Sequence, residues 1–213
     1  MIAHGDSLGR TRIKFCGLTR IEDINSAVAA GADALGFVLW GGSKRHITLH
    51  QLEQLSAAVP AFVTRVGLFV DAAPECVEAA SEYLDLLQFH GNETPAMCQQ
   101  FSRPWIKALR MRDGLDLEAA AQQYAQAQGL LLDAYRPGIP GGTGEIFDWS
   151  RIPARLEKPV ILAGGLTPRN VADAIKAVGP LAVDVSGGIE VLPGIKDARA
   201  MAAFVKEARR VNG

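Results

Sequence analysis

The sequence predicts a single-domain (β/α)8 TIM barrel of the α/β class, on three observations. About eight short strand-like runs alternate strictly with longer segments of helical periodicity. The strand-like runs are rich in Val, Leu, Ile and Phe rather than alternating with polar residues, as in parallel strands covered on both faces. The length of 213 residues, 48% of them hydrophobic, suits one barrel better than two small domains. We therefore expect a barrel over residues 13–213, preceded by a loose leader over residues 1–12.

The first half of the chain contains four strand and helix pairs. They are "RIKFC" with "IEDINSAVAAG", "ADALGFVL" with "TLHQLEQLSAAV", "FVTRVGLFV" with a helix from Pro74, and "LDLLQFH" with "TPAMCQQF". In the first helix Ile21, Ile24 and Val28 recur at helical spacing, and Gly31 is a stop signal. Proline is suited to the first helical turn, which places a helix start at Pro74.

The second half repeats the alternation. It contains "WIKALRM" with "LDLEAAAQQYA", "GLLLDAY" with a long glycine-rich loop and a short segment near Asp148, "PVILAGG" with "TPRNVADAIKAV", and "LAVDVSGG" with "DARAMAAFVKEARR". A doubly wound open sheet is the alternative fold, but it calls for G-x-G-x-x-G after the first strand, which "CGLTR" does not supply. The glycines cluster after the seventh and eighth strands instead, which favours the barrel.

Composition excludes several classes of function. The formal net charge of -1 gives no reason to expect a nucleic-acid partner. The N-terminal "MIAHGDSLGRTR" has no apolar signal region, and no run approaches the roughly 20 apolar residues that span a bilayer. Three widely spaced cysteines without a CxxC pair argue against a disulfide framework and against zinc. We expect a cytoplasmic protein with reduced thiols and no metal.

Two glycine-rich segments predict a phosphate site. In barrels of this type the loops after strands seven and eight commonly hold phosphate, and here those loops are "AGGLTPRN" and "VSGGIE". Their backbone N–H groups are unobstructed by side chains and precede helical segments, an arrangement that binds anions. The residues concerned are Gly164, Gly165, Ser186, Gly187 and Gly188. Either loop alone would equally fit glycines that merely end a strand, and the pairing of the two favours phosphate.

Two strand ends carry complementary proton chemistry. Asp133 ends "GLLLD", where desolvation would favour the protonated carboxyl and let it act as a general acid. Cys16 ends "RIKFC", where nearby cations or N–H groups would draw the thiol toward thiolate and let it act as a base. The structural alternatives are that Asp133 is a loop-capping carboxylate and that Cys16 is a small packing residue. The sequence pattern alone does not decide between these roles and the catalytic ones.

The series "KFCGLTR", "GADALGFVL", "RVGLFVD", "LQFHGNE", "LLLDAYRPGIPGGTGEIFDW", "PVILAGGLTPRNV" and "VDVSGGIE" followed by "PGIKD" resembles the phosphoribosylanthranilate isomerase family of tryptophan biosynthesis. The resemblance runs from about residue 13 to about residue 205. It implies a (β/α)8 barrel, without cofactor or metal, that catalyses an Amadori rearrangement. The substrate would be N-(5-phospho-β-D-ribosyl)anthranilate and the product 1-(2-carboxyphenylamino)-1-deoxy-D-ribulose 5-phosphate. By resemblance Cys16 is the general base and Asp133 the general acid.

The resemblance also implies substrate-binding residues. Arg45 matches the cation for the anthranilate carboxylate, a role that suits its two-pronged guanidinium. Its loop departs from the family pattern, since the chain reads "GGSKRH" where Ser-Pro-Arg is usual, and the eighth-strand loop reads Ser-Gly-Gly where Ser-Ser-Gly is common. Asp184 would play a supporting polar role, with a structural salt bridge as the equal alternative. His90 would line the mouth of the site or serve as an ordinary structural histidine.

Two rival functions stay open on sequence. The first is the aldose-ketose isomerase of histidine biosynthesis, which resembles a doubled half-barrel with aspartate where this chain has Cys16. The second is a non-catalytic phosphate-binding barrel.

The expected partner is a small phosphosugar rather than a nucleic acid or a membrane, and we expect a monomer because no exposed apolar stripe stands out.

Overall fold

Eight parallel strands close into a barrel in the order of the chain, with the eighth paired to the first. This is seen in a computed structural model, which describes residues 9–134 and 147–211. The strands are β1 (Arg12–Cys16), β2 (Ala34–Val38), β3 (Thr64–Phe69), β4 (Leu86–Phe89), β5 (Trp105–Arg110), β6 (Leu130–Asp133), β7 (Val160–Leu162) and β8 (Ala182–Val185). The predicted fold class is confirmed.

Helices follow the strands and cover the outside of the barrel. They are α1 (Ile21–Ala30), α2 (Leu49–Ala57), α3 (Pro74–Ser81), α4 (Pro95–Gln99), α5 (Leu117–Gln123), α6 (Val171–Val178) and α7 (Ala198–Arg210). Local signals set their ends. Gly31 ends α1 in the left-handed conformation, Thr48 and Gln51 form a reciprocal capping box on α2, and Pro74 is the first residue of α3.

The units after β6 and β8 depart from a plain strand and helix alternation. After β6 the described chain resumes at Phe147 and forms a 3-10 turn, Trp149–Arg151, capped by the Asp148 carboxylate. The preceding loop, residues 135–146, lies outside the described residues. After β8 come a 3-10 turn, Gly187–Ile189, and an antiparallel pair, β9 (Glu190–Leu192) and β10 (Ile195–Lys196), which the sequence pattern did not predict.

The apolar side chains form two layers because successive residues of a strand point to opposite faces. The larger layer lies between barrel and helices and includes Phe15, Phe37, Phe69 and Phe204. A small cluster contains Ile106, Ala108, Leu131, Ile161, Ala163 and Ala182. On β1, Phe15 joins the outer layer, so Lys14 and Cys16 point the other way, into the barrel. The polar groups of the site therefore stand above an apolar floor.

The chain enters the barrel through a fixed segment. Of the expected leader, residues 1–8 lie outside the described residues, whereas Arg10 forms an ion pair with Asp33 and Thr11 is buried. No helix in the described ranges is both long and apolar enough to cross a membrane. Phe62, before β3, is fully exposed and has a positive φ of 68°.

Candidate active site

A cavity of about 390 Å³ lies at the carboxyl ends of the barrel strands. Its lining includes every site residue proposed from the sequence: Cys16, Arg45, His90, Asp133, Gly164, Gly165, Asp184, Ser186, Gly187 and Gly188. These residues lie among the last residues of β1, β6 and β8 or in the loops after β2, β4, β7 and β8, and they meet because parallel strands that close into a barrel end at one rim. The structure therefore brings the whole predicted set together.

Cys16 lies above a buried ion pair. Nζ of Lys14 is 2.8 Å from Oδ1 of Asp184, and both side chains are less than 10% exposed. Lys14 and Cys16 approach the same point, since a Cβ atom on Gly36 would lie 2.9 Å from Sγ of Cys16 and 3.0 Å from Nζ of Lys14. The absence of a side chain at Gly36 thus makes room for the thiol beside the ammonium group. Asp184 forms the salt bridge that the sequence left as one of its two alternatives.

The acidity of Cys16 differs from the expectation. Burial raises the pKa of the thiol, and the opposing ammonium groups of Lys14 and Lys196 do not overcome it, with Asp184 adding to the rise. Lys14 and Lys196 do lower the pKa of this thiol, as the sequence suggested, but burial and Asp184 outweigh them, so the net shift favours the protonated thiol. Burial also opposes protonation of Lys14, but Asp184 and Cys16 outweigh it and raise the pKa of that lysine. The cation beside the thiol is therefore kept charged.

Asp133 ends a chain of polar contacts across β4 and β6. Oδ2 of Asp133 lies 3.3 Å from Nε2 of His90, and Nδ1 of His90 lies 3.2 Å from Nε2 of Gln88. Asp133 is 8% exposed, so it is held at the tip of an apolar strand as the sequence suggested. His90 touches the proposed acid rather than standing apart from it.

The glycine loops present free amide groups. Within the described residues, the N–H groups of Gly164, Gly165, Gly187 and Gly188 have no hydrogen-bond acceptor. Close packing requires glycine at two positions, because a Cβ atom on Gly164 would collide with Ala134 and one on Gly188 with the Leu166 carbonyl oxygen. Unpaired amide donors on loops that line a cavity can bind an anion.

Arg45 is held by an acidic residue. Its Nε and Nη2 donate to Glu190 at 2.8 and 2.6 Å, and Nη1 has no partner among the described residues. Glu190 also accepts from Lys196 at 2.8 Å, and Lys196 donates to the Cys16 carbonyl oxygen at 2.6 Å. Burial would raise the pKa of Glu190, but Arg45 and Lys196 outweigh it and hold that pKa below its ordinary value. This cluster therefore ties the loop after β2 to the ends of β1 and β8.

Sequence reasoning missed several polar residues of the site. Lys14 and Gln88 stand inside otherwise apolar strand runs, and that interruption was the available signal. Glu190 and Lys196 lie in "VDVSGGIE" and "PGIKD", two of the segments that carry the resemblance, but the sequence assigned them no role. Arg110, at the end of β5, lines the cavity as an exposed side chain beside Asp133 in the strand register.

The remaining cysteines stand apart from this chemistry. Cys76 is exposed and Cys98 is buried, and burial raises the pKa of Cys98 to about 12. All three cysteines are free thiols. No group of three or more His, Cys, Asp or Glu side chains suited to a metal ion occurs in the part of the chain that the structure describes.

Comparison with known proteins gives concordant results. Residues 13–207 match the model of the family described as N-(5'phosphoribosyl)anthranilate (PRA) isomerase. An N-(5'-phosphoribosyl)anthranilate isomerase of Chromohalobacter salexigens is 65% identical over 198 residues, which cover 93% of this chain and 94% of that protein.

Two solved structures of phosphoribosyl anthranilate isomerase are also similar. One holds reduced 1-(o-carboxyphenylamino)-1-deoxyribulose 5-phosphate, with a TM-score of 0.80, 36% identity, and coverage of 94% of this chain and 99% of that chain. The other, from Thermotoga maritima, is described as monomers generated from a dimeric enzyme. It has a TM-score of 0.78 and 35% identity, and covers 93% of this chain and 98% of that chain.

Proposed function

The chain belongs to the phosphoribosylanthranilate isomerase family, and from that premise we propose how its own residues carry out the reaction. The activity is the isomerisation of N-(5-phospho-β-D-ribosyl)anthranilate in tryptophan biosynthesis. The observation that carries the residue assignment is that Cys16 and Asp133, from opposite parts of the chain, line one cavity together with the unpaired amides of two glycine loops.

Asp133 acts as the general acid. It donates its proton to the ribose ring oxygen as the bond from that oxygen to C1′ breaks, and the anilino nitrogen supplies the electron pair that forms an iminium with C1′. The position of Nε2 of His90, 3.3 Å from Oδ2, supports this assignment, because an N–H group facing the carboxylate stabilises its charge once the proton has left.

Cys16 acts as the general base. Its thiolate takes the proton from C2′, the C2′–H electron pair becomes the C1′–C2′ double bond, and the iminium electrons return to nitrogen. The enolamine then tautomerises to the ketone, with a proton gained at C1′ and one lost from the C2′ hydroxyl. The buried ammonium of Lys14 supports this role, because it faces the position where the thiolate charge develops.

The substrate is held at its two anionic groups. The phosphate binds the amides of Gly164, Gly165, Gly187 and Gly188, with the Ser186 hydroxyl beside them. The anthranilate carboxylate binds Nη1 of Arg45, which stays available while Nε and Nη2 hold Glu190. The related enzyme structure that holds a phosphorylated carboxyphenylamino ligand supports a substrate of this chemistry.

The reaction is tested by adding the purified full chain to phosphoribosylanthranilate generated in situ and following the loss of anthranilate-type fluorescence, without added metal or cofactor. Acceleration over a no-enzyme control, with the Amadori ketose as product, is expected. Asp133→Asn should lose at least about a hundredfold in kcat, and Asp173→Asn, an exposed aspartate on α6, serves as its control. Turnover of Asp133→Asn at the wild-type rate would remove Asp133 from the acid role.

We also propose a cytoplasmic, monomeric protein. The three free thiols support a reducing compartment, which cell fractionation tests.

Sedimentation at micromolar concentration should give the mass of one chain, 22.7 kDa. A doubled mass that falls to 22.7 kDa in Phe62→Ser would instead assign the exposed Phe62 to an interface.

A further inference from the structure

Gln88 is a buried side chain at the cavity that none of the steps above uses. It lies on β4 with no exposed surface, and its Nε2 is 3.2 Å from Nδ1 of His90. Its Oε1 is buried without a hydrogen-bond partner among the described residues. An unpaired buried amide oxygen costs free energy of folding, and an apolar side chain of similar size would avoid that cost. Stability therefore does not explain an amide at this position.

The two possible orientations of the Gln88 amide are not equivalent. In the orientation described, an Nε2–H group donates to Nδ1 of His90 and one acceptor oxygen stays unpaired. In the reversed orientation Oε1 would accept from a protonated Nδ1, but the NH2 group would occupy the unpaired position with two donors and no acceptor. Each orientation leaves one atom of the amide unpaired, but only the first is compatible with a neutral imidazole that presents its N–H group to Oδ2 of Asp133, which lies 3.3 Å from Nε2.

That orientation determines the tautomer of a neutral His90. If Nδ1 accepts from Gln88, the single proton of a neutral imidazole resides on Nε2, the nitrogen 3.3 Å from Oδ2 of Asp133. We propose that Gln88 is a positioning residue that holds His90 as the neutral Nε2–H tautomer, so that His90 donates to Oδ2 of Asp133 and leaves Oδ1 to carry the catalytic proton. The inference rests on the proposed role of Asp133 as general acid.

This chain of contacts places an N–H group beside Asp133, where negative charge develops during proton transfer. A hydrogen bond to Oδ2 is stronger when the carboxyl is ionised than when it is neutral, so the chain stabilises the state that follows proton transfer to the ring oxygen. His90 therefore contributes orientation and charge stabilisation, and the transferred proton comes from Asp133. The opposite tautomer would present a bare Nε2 to Asp133 and would hold its proton back.

The tautomer can be measured directly in the full-length protein labelled with 15N-histidine. The chain has four histidines, and the imidazole signals of His90 are identified by their loss in His90→Gln. Wild type should show a protonated Nε2 and an unprotonated Nδ1 at neutral pH. A protonated Nδ1, alone or with Nε2, would overturn the proposal without any substitution at Gln88.

Gln88→Met keeps the length of the side chain and removes the donor. Loss of the single Nε2–H tautomer is expected, together with about a tenfold fall in kcat and a smaller change in KM. The double variant with His90→Gln should be no slower than the slower single variant, because both act through the same contact. An unchanged tautomer or additive losses would contradict the proposal.

The chain offers a matched control. Gln54 and His50 on α2 form an exposed pair at the same separation of 3.2 Å, so Gln54→Met should leave kcat, KM and the His90 signals unchanged. The two proposals fail separately. A folded wild type that shows the expected tautomer but does not isomerise the substrate contradicts the proposed function, whereas an active wild type with the other tautomer contradicts the role of Gln88 alone.

Discussion

The Lys14 ammonium lies 2.8 Å from the Asp184 carboxylate, and this buried pair stands inside the barrel next to Cys16. Buried ion pairs contribute little net stability over apolar residues of similar volume, because desolvation offsets the attraction between the charges. Stability is therefore an insufficient reason for this pair. Its position suggests instead that Asp184 holds Lys14 in place and Lys14 stabilises the Cys16 thiolate.

Removing one partner of the Lys14–Asp184 pair should destabilise the protein, whereas replacing both partners with apolar residues should not. Asp184→Asn leaves Lys14 without its counter-ion and should lower the free energy of unfolding by about 3 kcal/mol. Lys14→Met combined with Asp184→Leu should recover most of that loss, while kcat/KM stays low because the cation beside Cys16 is gone. Urea unfolding and steady-state kinetics measure the two effects. Full activity of the stable double variant would show that Lys14 does not assist the thiolate.

The pH dependence should report the thiol. A base must be unprotonated, so kcat/KM should rise with pH through the pKa of Cys16, which burial places above the ordinary value of about 8.5. The charged groups that act on this thiol are Lys14, Asp184, Lys196 and Arg45. Lys14→Met removes a group that lowers this pKa and should move the rise to higher pH. Asp184→Asn removes one that raises it and should move the rise to lower pH, and shifts in the same direction would argue against Cys16 as the base.

Cys16→Ser should lose several orders of magnitude in kcat, because a neutral hydroxyl is a poor proton acceptor. KM should change little, since the phosphate and carboxylate contacts remain. Cys76→Ser is the matched control, because Cys76 is an exposed thiol on α3. Fluorescence-based turnover measures both variants, and a Cys16→Ser enzyme within tenfold of wild type would exclude a catalytic thiolate.

Arg45→Ala should act mainly on binding. Loss of a guanidinium that pairs with a carboxylate should raise KM about tenfold or more with a smaller effect on kcat. Lys44→Ala removes an exposed cation one residue away and should leave KM unchanged. Equal KM values for the two variants would mean that Arg45 serves only its pair with Glu190.

Gly188→Ala should weaken phosphate binding, because the added Cβ would collide with the carbonyl oxygen of Leu166 and displace the loop. We expect KM to rise at least about tenfold, and inhibition by inorganic phosphate to weaken in parallel. Gly41→Ala is the control, since a Cβ there would meet no atom within 4 Å. Unchanged phosphate inhibition in Gly188→Ala would place the anion elsewhere.

Much of the site is predictable from the sequence, because a parallel barrel brings all strand ends to one rim. With the strands located along the chain, Cys16, Asp133 and the two glycine loops have to face one another. The segment after β8 is different. Its hairpin, Glu190–Leu192 with Ile195–Lys196, is short and has no alternating pattern, so only its contacts with Arg45 and Cys16 reveal its purpose.

The pKa of the Cys16 thiol also could not be predicted without the folded structure. The sequence shows that Cys16 has a lysine two residues before it, but not that Asp184, 170 positions away from Lys14, neutralises much of that charge. The balance of burial against charge then raises the pKa of the thiol, where local reasoning expected the reverse.

By itself, the sequence determined the barrel, the order of its units, and the residue types at the strand ends, because hydrophobic periodicity and glycine placement are local properties of the chain. Only the tertiary structure decided which polar groups meet. Distances across the closed barrel decide the pairing of Arg45 with Glu190, of Lys14 with Asp184, and of His90 with Asp133, because the partners in each pair lie far apart in the sequence.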